Sequence, residues 1–175
     1  MTTTKKHGKL INQQTLQFER LLPGPIERVW DYITDAEKRK LWFCGGTSGL
    51  QEGEKFTFVF HNSRLGYPPE STPEKYKEFG DGFESEAIVV KYNKPTMFVM
   101  KWEGLVTFHL QEVGDQVLLT LTHENLQDTK ESRVGTLAGW HTHLDILADQ
   151  CNNRTPNSFW PKHMSLEKEY EKLVN

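Results

Sequence analysis

The feature that most constrains this chain is a change of apolar rhythm about two thirds of the way along it. Before residue 124, apolar residues alternate with polar ones. After that point Val134, Leu137, Trp140, Leu144, Leu147 and Cys151 recur at three- and four-residue steps, the one-sided pattern of an amphipathic helix. Asp128-Thr129-Lys130-Glu131 ahead of them has the spacing of a capping box, with Asp in place of the usual Ser or Thr. The spacing predicts a helix from about Glu131 to Cys151, roughly 30 Å long. A rod of that length with one apolar stripe needs a broad concave surface to lie in, and a bent antiparallel sheet supplies one.

The preceding segments provide the strands. Thr15 to Leu22 reads as the first, with Leu16 and Phe18 on one face, and Pro23-Gly24-Pro25 breaks it. Pro25 suits a first helical turn, where its missing N–H costs nothing. Ile26, Val29, Trp30 and Ile33 then mark one face of a short helix. Asp35 is placed to cap a second short helix through Leu41-Trp42-Phe43, ended by Gly45-Gly46. Phe56, Phe58 and Phe60 alternate with Thr57, Val59 and His61; strands follow over Glu84 to Tyr92, Thr96 to Trp102, Val106 to Gln111 and Val117 to Thr122. Residues 62–82, with three prolines and three glycines, read as a long loop, a length that points to a functional or mobile segment. Residues 158–174, with Leu166, Tyr170 and Leu173 in helical register, read as an additional helix. The expected organisation is a flexible N-terminal arm over 1–12 and a single α+β domain over 13–175, with the sheet wrapped around the long helix.

Composition narrows the function classes. Hydrophobic residues make up 36% of the chain and charged residues 26%, so the 10 Phe, 5 Trp and 5 Tyr must carry much of the core. The net charge of -3 and the lack of a long basic run argue against nucleic acid as a partner. No apolar stretch approaches the roughly 20 residues needed to span a bilayer, and Met1 to Lys9 lacks the apolar segment of a signal peptide. Cys44 and Cys151 are too few for a disulfide framework and belong to no CxxC pair, so reduced thiols in a soluble, cytoplasmic protein are expected.

Three stretches together carry a resemblance. The first is Leu22-Pro23-Gly24-Pro25-Ile26-Glu27-Arg28-Val29-Trp30 with Ile33-Thr34-Asp35 and Leu41-Trp42-Phe43. The second is Pro95 to Trp102 with Val113-Gly114-Asp115 and Leu119-Thr120-Leu121-Thr122-His123. The third is Gly139-Trp140-His141-Thr142-His143-Leu144-Asp145 with Phe159-Trp160 and Tyr170. Over about residues 14–173 they resemble the helix-grip superfamily, which joins the steroidogenic-acute-regulatory lipid-transfer domains to the birch-pollen allergen. They look most like the branch named for homologues of the activator of the ninety-kilodalton heat-shock protein's ATPase. The resemblance implies a seven-stranded sheet gripping the long helix, two short helices closing one end, and a cavity between. It also implies binding of an apolar molecule such as a lipid, polyketide or flavonoid. Surface action as a chaperone-linked partner, or cyclase or hydrolase activity, are the alternatives it leaves. The 62–82 loop and the last helix depart from shorter members, and the loop could lid or plug the cavity mouth.

The polar residues give no catalytic signature. Neither HExxH nor CxxC is present, so no metal and no cofactor is expected. His141 and Asp145 share a helix face at i, i+4 and are the one candidate pair for proton transfer, although a surface pair or a local hydrogen bond is the plainer reading. Glu84 and Glu86 share a strand face that reads as solvated. Cys44 follows a helix C-terminus, which disfavours a thiolate. Gly45-Gly46-Thr47-Ser48-Gly49 lacks the lysine of a phosphate loop. Aromatic side chains are the strongest functional hint, and the residues expected to line a ligand cavity are Trp42, Phe58, Phe98, Trp102, Trp140, His141 and Leu144.

Overall fold

A computed structural model describes residues 6–79 and 82–175. Its sheet elements are β1 (Lys9–Asn12), β2 (Thr15–Pro23), β3 (Gly45–Gly46), β4 (Lys55–Phe60), β5 (Phe83–Asn93), β6 (Met97–Lys101), β7 (Leu105–Val113) and β8 (Gln116–Glu124). Its helices are α1 (Ile26–Thr34), α2 (Ala36–Arg39), α3 (Lys130–Cys151) and α4 (Phe159–Leu173). Two 3-10 helices, Asn62–Arg64 and Glu74–Phe79, occupy the stretch between β4 and β5. The strands form one antiparallel sheet in the order β1-β2-β8-β7-β6-β5-β4-β3. The sheet and long helix are those of the helix-grip fold.

Period two decides which face is inside. Leu16, Phe18 and Leu22 of β2, Phe56, Phe58 and Phe60 of β4, Val106, Phe108 and Leu110 of β7, and Val117, Leu119 and Leu121 of β8 are all buried. Register carries these faces across the sheet: Phe18 and Phe108 both lie opposite Leu121, and Phe98 lies opposite Phe108. On the other face of β5, Glu84 and Glu86 are exposed.

The sheet has eight strands where seven were implied. The difference lies at its edges. Lys9–Asn12, expected within a flexible arm, instead pairs with β2, Lys9 opposite Gln17 and Leu10 opposite Leu16. The segment before it is held as well, since the Gly8 N–H donates to the Tyr170 hydroxyl at 2.8 Å; residues 1–5 of that arm lie outside the described residues. Gly45-Gly46, expected to end a helix, is the opposite edge strand on β4. At Gly46 (φ 111°) a Cβ would come within 1.9 Å of the Thr57 carbonyl oxygen, so only glycine permits that approach.

The long helix departs from the simple amphipathic rod. Its cap is Thr129, whose hydroxyl accepts from the Ser132 N–H at 3.1 Å, while Asp128, read as the cap, pairs with Arg133 at 2.8 Å. Val134, Leu137, Leu144 and Leu147 are buried, and so are Arg133, Ala138, His141, Thr142, His143 and Ile146. The reason is α4, which packs along α3. What the spacing presents as a solvent face is an interface between helices.

Candidate functional site

One end of the sheet, where β4 and β6 finish and β5 begins, leaves a cavity of about 320 Å³. Sheet and connections contribute Phe60, Phe83, Trp102 and Glu103; α3 contributes Gly135, Thr136, Gly139, Trp140 and His143; Phe43 follows α2. The remaining wall is built by Asn62, Tyr76 and Phe79 from the stretch read as a long loop, and by Phe159, Trp160, His163 and Glu167 of α4. That volume sits at the small end of ligand pockets.

The loop wall is anchored to the start of α4. The Tyr67 N–H donates to the Pro156 carbonyl at 2.9 Å, the Phe159 N–H to the Leu65 carbonyl at 3.1 Å, and the Ser158 hydroxyl to the Pro68 carbonyl. Gly66 (φ 78°) allows this, because a Cβ there would meet the Asn157 carbonyl oxygen at 1.9 Å. Further along, the Tyr76 ring stacks on Trp160 at 4.9 Å, and the Trp160 N–H donates to the Ser63 hydroxyl at 2.9 Å. Lys75 closes the outside through Glu167 at 2.5 Å. Gly80 and Asp81, part of the expected 62–82 loop, lie outside the described residues.

Aromatic rings floor the cavity. Phe60 stacks on Phe83 at 4.7 Å and on Trp102 at 5.7 Å, and Phe43 packs on Trp140 at 5.0 Å. On α3 the floor is bare by contrast. A Cβ on Gly135 would meet nothing within 4 Å, and one on Gly139 would meet only His163 Cε1 at 4.0 Å. Two glycines one turn apart therefore hold the helix side of the cavity open.

Three histidines reach the cavity in neutral form. His123 Nδ1 accepts from the Trp140 N–H at 3.0 Å and its Nε2 is 2.9 Å from the Glu103 carbonyl, an arrangement open only to an uncharged ring. Burial lowers the His143 imidazole to about 4, against a 2.8 Å hydrogen bond to the Trp42 carbonyl that favours the charged form. Burial likewise brings His163 to about 4, though the Ala138 carbonyl opposes it; its Nε2 pairs with Glu167 at 2.8 Å. Among the described residues, three of the buried side-chain polar atoms lacking a hydrogen bond belong to lining residues: Asn62 Oδ1, Tyr76 Oη and His163 Nδ1.

Of the seven residues expected to line a cavity, the structure brings Trp102 and Trp140 to this one. Trp42 and Phe58 are fully buried behind Phe43, their rings 5.4 and 5.3 Å from it. Phe98 packs at the far end of the sheet against Trp30 at 6.5 Å and Phe108 at 6.2 Å. Leu144 is sealed in the core. Large side chains fill the space between sheet and mid-helix, which displaces the void to the end that α4 covers. The missed residues had a signal in Gly135 and Gly139, an i, i+4 pair inside a helix where glycine is unfavourable.

His141 faces away from the cavity, into the seam between α3, β2 and α4. Its Nδ1 is 2.8 Å from the Tyr170 hydroxyl and its Nε2 3.5 Å from Asp145, which also pairs with Arg20 at 3.2 Å and Lys162 at 2.8 Å. Burial alone would raise the Asp145 carboxyl, but its hydrogen bonds and the charges of His141 and Lys162 hold it well below the usual range. Both residues are thus tied into a buried structural network rather than a surface pair. Cys44 and Cys151 are buried free thiols, and burial pushes Cys151 up to about 11 and Cys44 further. Among the described residues no group of three or more His, Cys, Asp or Glu is arranged to hold a metal ion, and no helix is long and apolar enough to cross a membrane.

Comparison with known proteins agrees with this architecture. The protein encoded by gene BPP1335 of Bordetella parapertussis, solved by NMR, is 34% identical, with a TM-score of 0.79 over 98% of this chain and 95% of that one. A conserved protein of unknown function from Enterococcus faecalis is 21% identical (TM-score 0.65, 95% and 88% covered). CalU16 from Micromonospora echinospora is 20% identical (TM-score 0.63, 91% and 84% covered), so these last two speak for the fold alone. No match to a curated protein was found. The family model described as Activator of Hsp90 ATPase homolog 1-like protein matches residues 23–151, and the chain belongs to that family within the helix-grip superfamily.

Proposed function

We propose that this protein binds a small, largely apolar aromatic molecule in the cavity at the α4 end of the sheet. One observation carries the reading. In a chain whose core is otherwise filled by large side chains, α3 keeps two cavity-facing glycines opposite a floor of Phe43, Phe60, Phe83 and Trp102. A helix interior normally disfavours glycine, and a concave, aromatic-lined void with a few polar atoms is what small-molecule sites look like. Family membership is consistent with hydrophobic ligand binding. The buried free thiols support a reducing, cytoplasmic setting.

Isothermal titration calorimetry with naphthalene and 2-naphthol tests the reading. Saturable binding by the native chain, lost on Gly139→Leu with the fold intact by circular dichroism, is expected. Absence of binding by either probe would refute it. The pair that a cyclase or hydrolase reading was expected to use, His141 and Asp145, lies in the α3–α4 seam and does not face a molecule bound in the cavity. The chaperone-linked reading gains no specific surface feature in its favour.

A further inference from the structure

The cavity's charge pattern narrows what it can hold. Among the described residues, its lining contains no lysine or arginine. The histidines supply no substitute: His123 is locked in a neutral tautomer by the Trp140 N–H on Nδ1, and burial holds His143 and His163 down to about 4. The Lys75 ammonium lies outside the lining and is paired with Glu167. The formal charges that the described lining residues carry, on Glu103 and Glu167, are negative.

We propose that the site selects uncharged aromatic molecules and rejects organic anions, fatty acids and aromatic carboxylates among them, because an entering carboxylate finds carboxylates and neutral rings but no cation. This rests on the ligand-binding reading above and adds the ligand's charge class to it. A carboxylate moved from water into such a space loses hydration that nothing replaces, whereas an uncharged ring loses little and gains contact with the aromatic floor. A hydroxyl is compatible, since among the described residues the Tyr76 hydroxyl and the Asn62 side-chain Oδ1 find no hydrogen-bond partner.

Calorimetry at pH 7 with 2-naphthol, naphthalene and 2-naphthoate separates the possibilities, because the three share one ring system. The two uncharged probes should bind, and 2-naphthoate should be weaker than 2-naphthol by about 100-fold or more. Thr136→Lys, which sets an ammonium on the α3 wall, should narrow that gap at least tenfold. Naphthoate binding within threefold of naphthol, or a gap unmoved by Thr136→Lys in a folded variant, overturns the charge selection while leaving ligand binding standing. Failure of all three probes overturns ligand binding itself, and the selection with it.

Discussion

Replacing Gly135 and Gly139 by alanine should stabilise the protein while impairing its site. In the interior of a helix Gly is about 0.8–1.0 kcal/mol less favourable than Ala. The structure allows that gain to be realised, because a methyl at 135 meets nothing within 4 Å and one at 139 makes an ordinary contact with His163 at 4.0 Å. Each substitution should therefore contribute about 1 kcal/mol. The two side chains do not share a partner, so the double variant should approach about 2 kcal/mol. For a chain of this size that corresponds to a rise in Tm of roughly 4–8 °C. Both methyls enter the cavity, so 2-naphthol affinity should fall in the Ala variants and vanish in Gly139→Leu. Thermal unfolding followed by circular dichroism, paired with calorimetric titration, reads both effects. A lowered Tm for either alanine variant would refute the claim of open space on α3. Undiminished affinity in Gly139→Leu would refute the location of the site.

Other consequences follow from the buried polar groups. His143 and His163 are neutral when folded, with values near 4, but ordinary when unfolded. The unfolded chain thus binds more protons between about pH 6.5 and 4, and stability present above pH 6.5 should decline as pH falls through that window, by up to about 3 kcal/mol per histidine. Urea midpoints at pH 7 and pH 5 measure this; His143→Asn should flatten the slope, and an unchanged slope would contradict it. Asp145→Asn removes the charge facing Arg20, Lys162 and His141 and should cost about 3 kcal/mol by leaving Arg20 buried without its counter-ion; a chemical-denaturation shift under about 1 kcal/mol would show the network to be dispensable. Cys44 and Cys151, both buried and poorly ionised, should resist thiol-reactive dyes at pH 8 until the chain unfolds, and stoichiometric labelling of the native protein would count against that burial.

The sequence conveyed elements defined by local repetition and concealed features defined by partners far along the chain. The alternation in β4, β7 and β8 and the three-four rhythm of α3 are short-range patterns, and each corresponds to an element of the fold. The cap of α3 falls one residue later than the spacing predicts, because Asp128 and Thr129 can both accept a backbone N–H and Arg133 draws Asp128 away. β1 carries no local signature, because its burial is slight and its strand character comes from pairing with β2. The site was the least legible part. Aromaticity pointed to Trp102 and Trp140, but whether a given aromatic bounds a void or fills one depends on what packs across from it. Phe98 and Phe58 meet other rings and lie outside the cavity lining; Trp140 also packs on a ring, Phe43, but borders the open space beside Gly139 as well.

That dependence explains why α4 and the 3-10 stretch matter more to the site than their place outside the strand-and-rod scaffold suggests. The family match ends at Cys151, yet Phe159, Trp160, His163 and Glu167 of α4 form one wall of the cavity. The same helix buries the side of α3 that carries Arg133, His141 and Thr142, supplies Tyr170 to His141, and supplies Lys162 to Asp145. Removing α4 would uncover a charged network and open the cavity together, so loss of binding on truncation could not be assigned to either cause. Substitutions on α3 do not share that ambiguity. At Gly135 and Gly139 the expected changes in stability and in affinity have opposite signs, and a generally damaged fold cannot produce that combination.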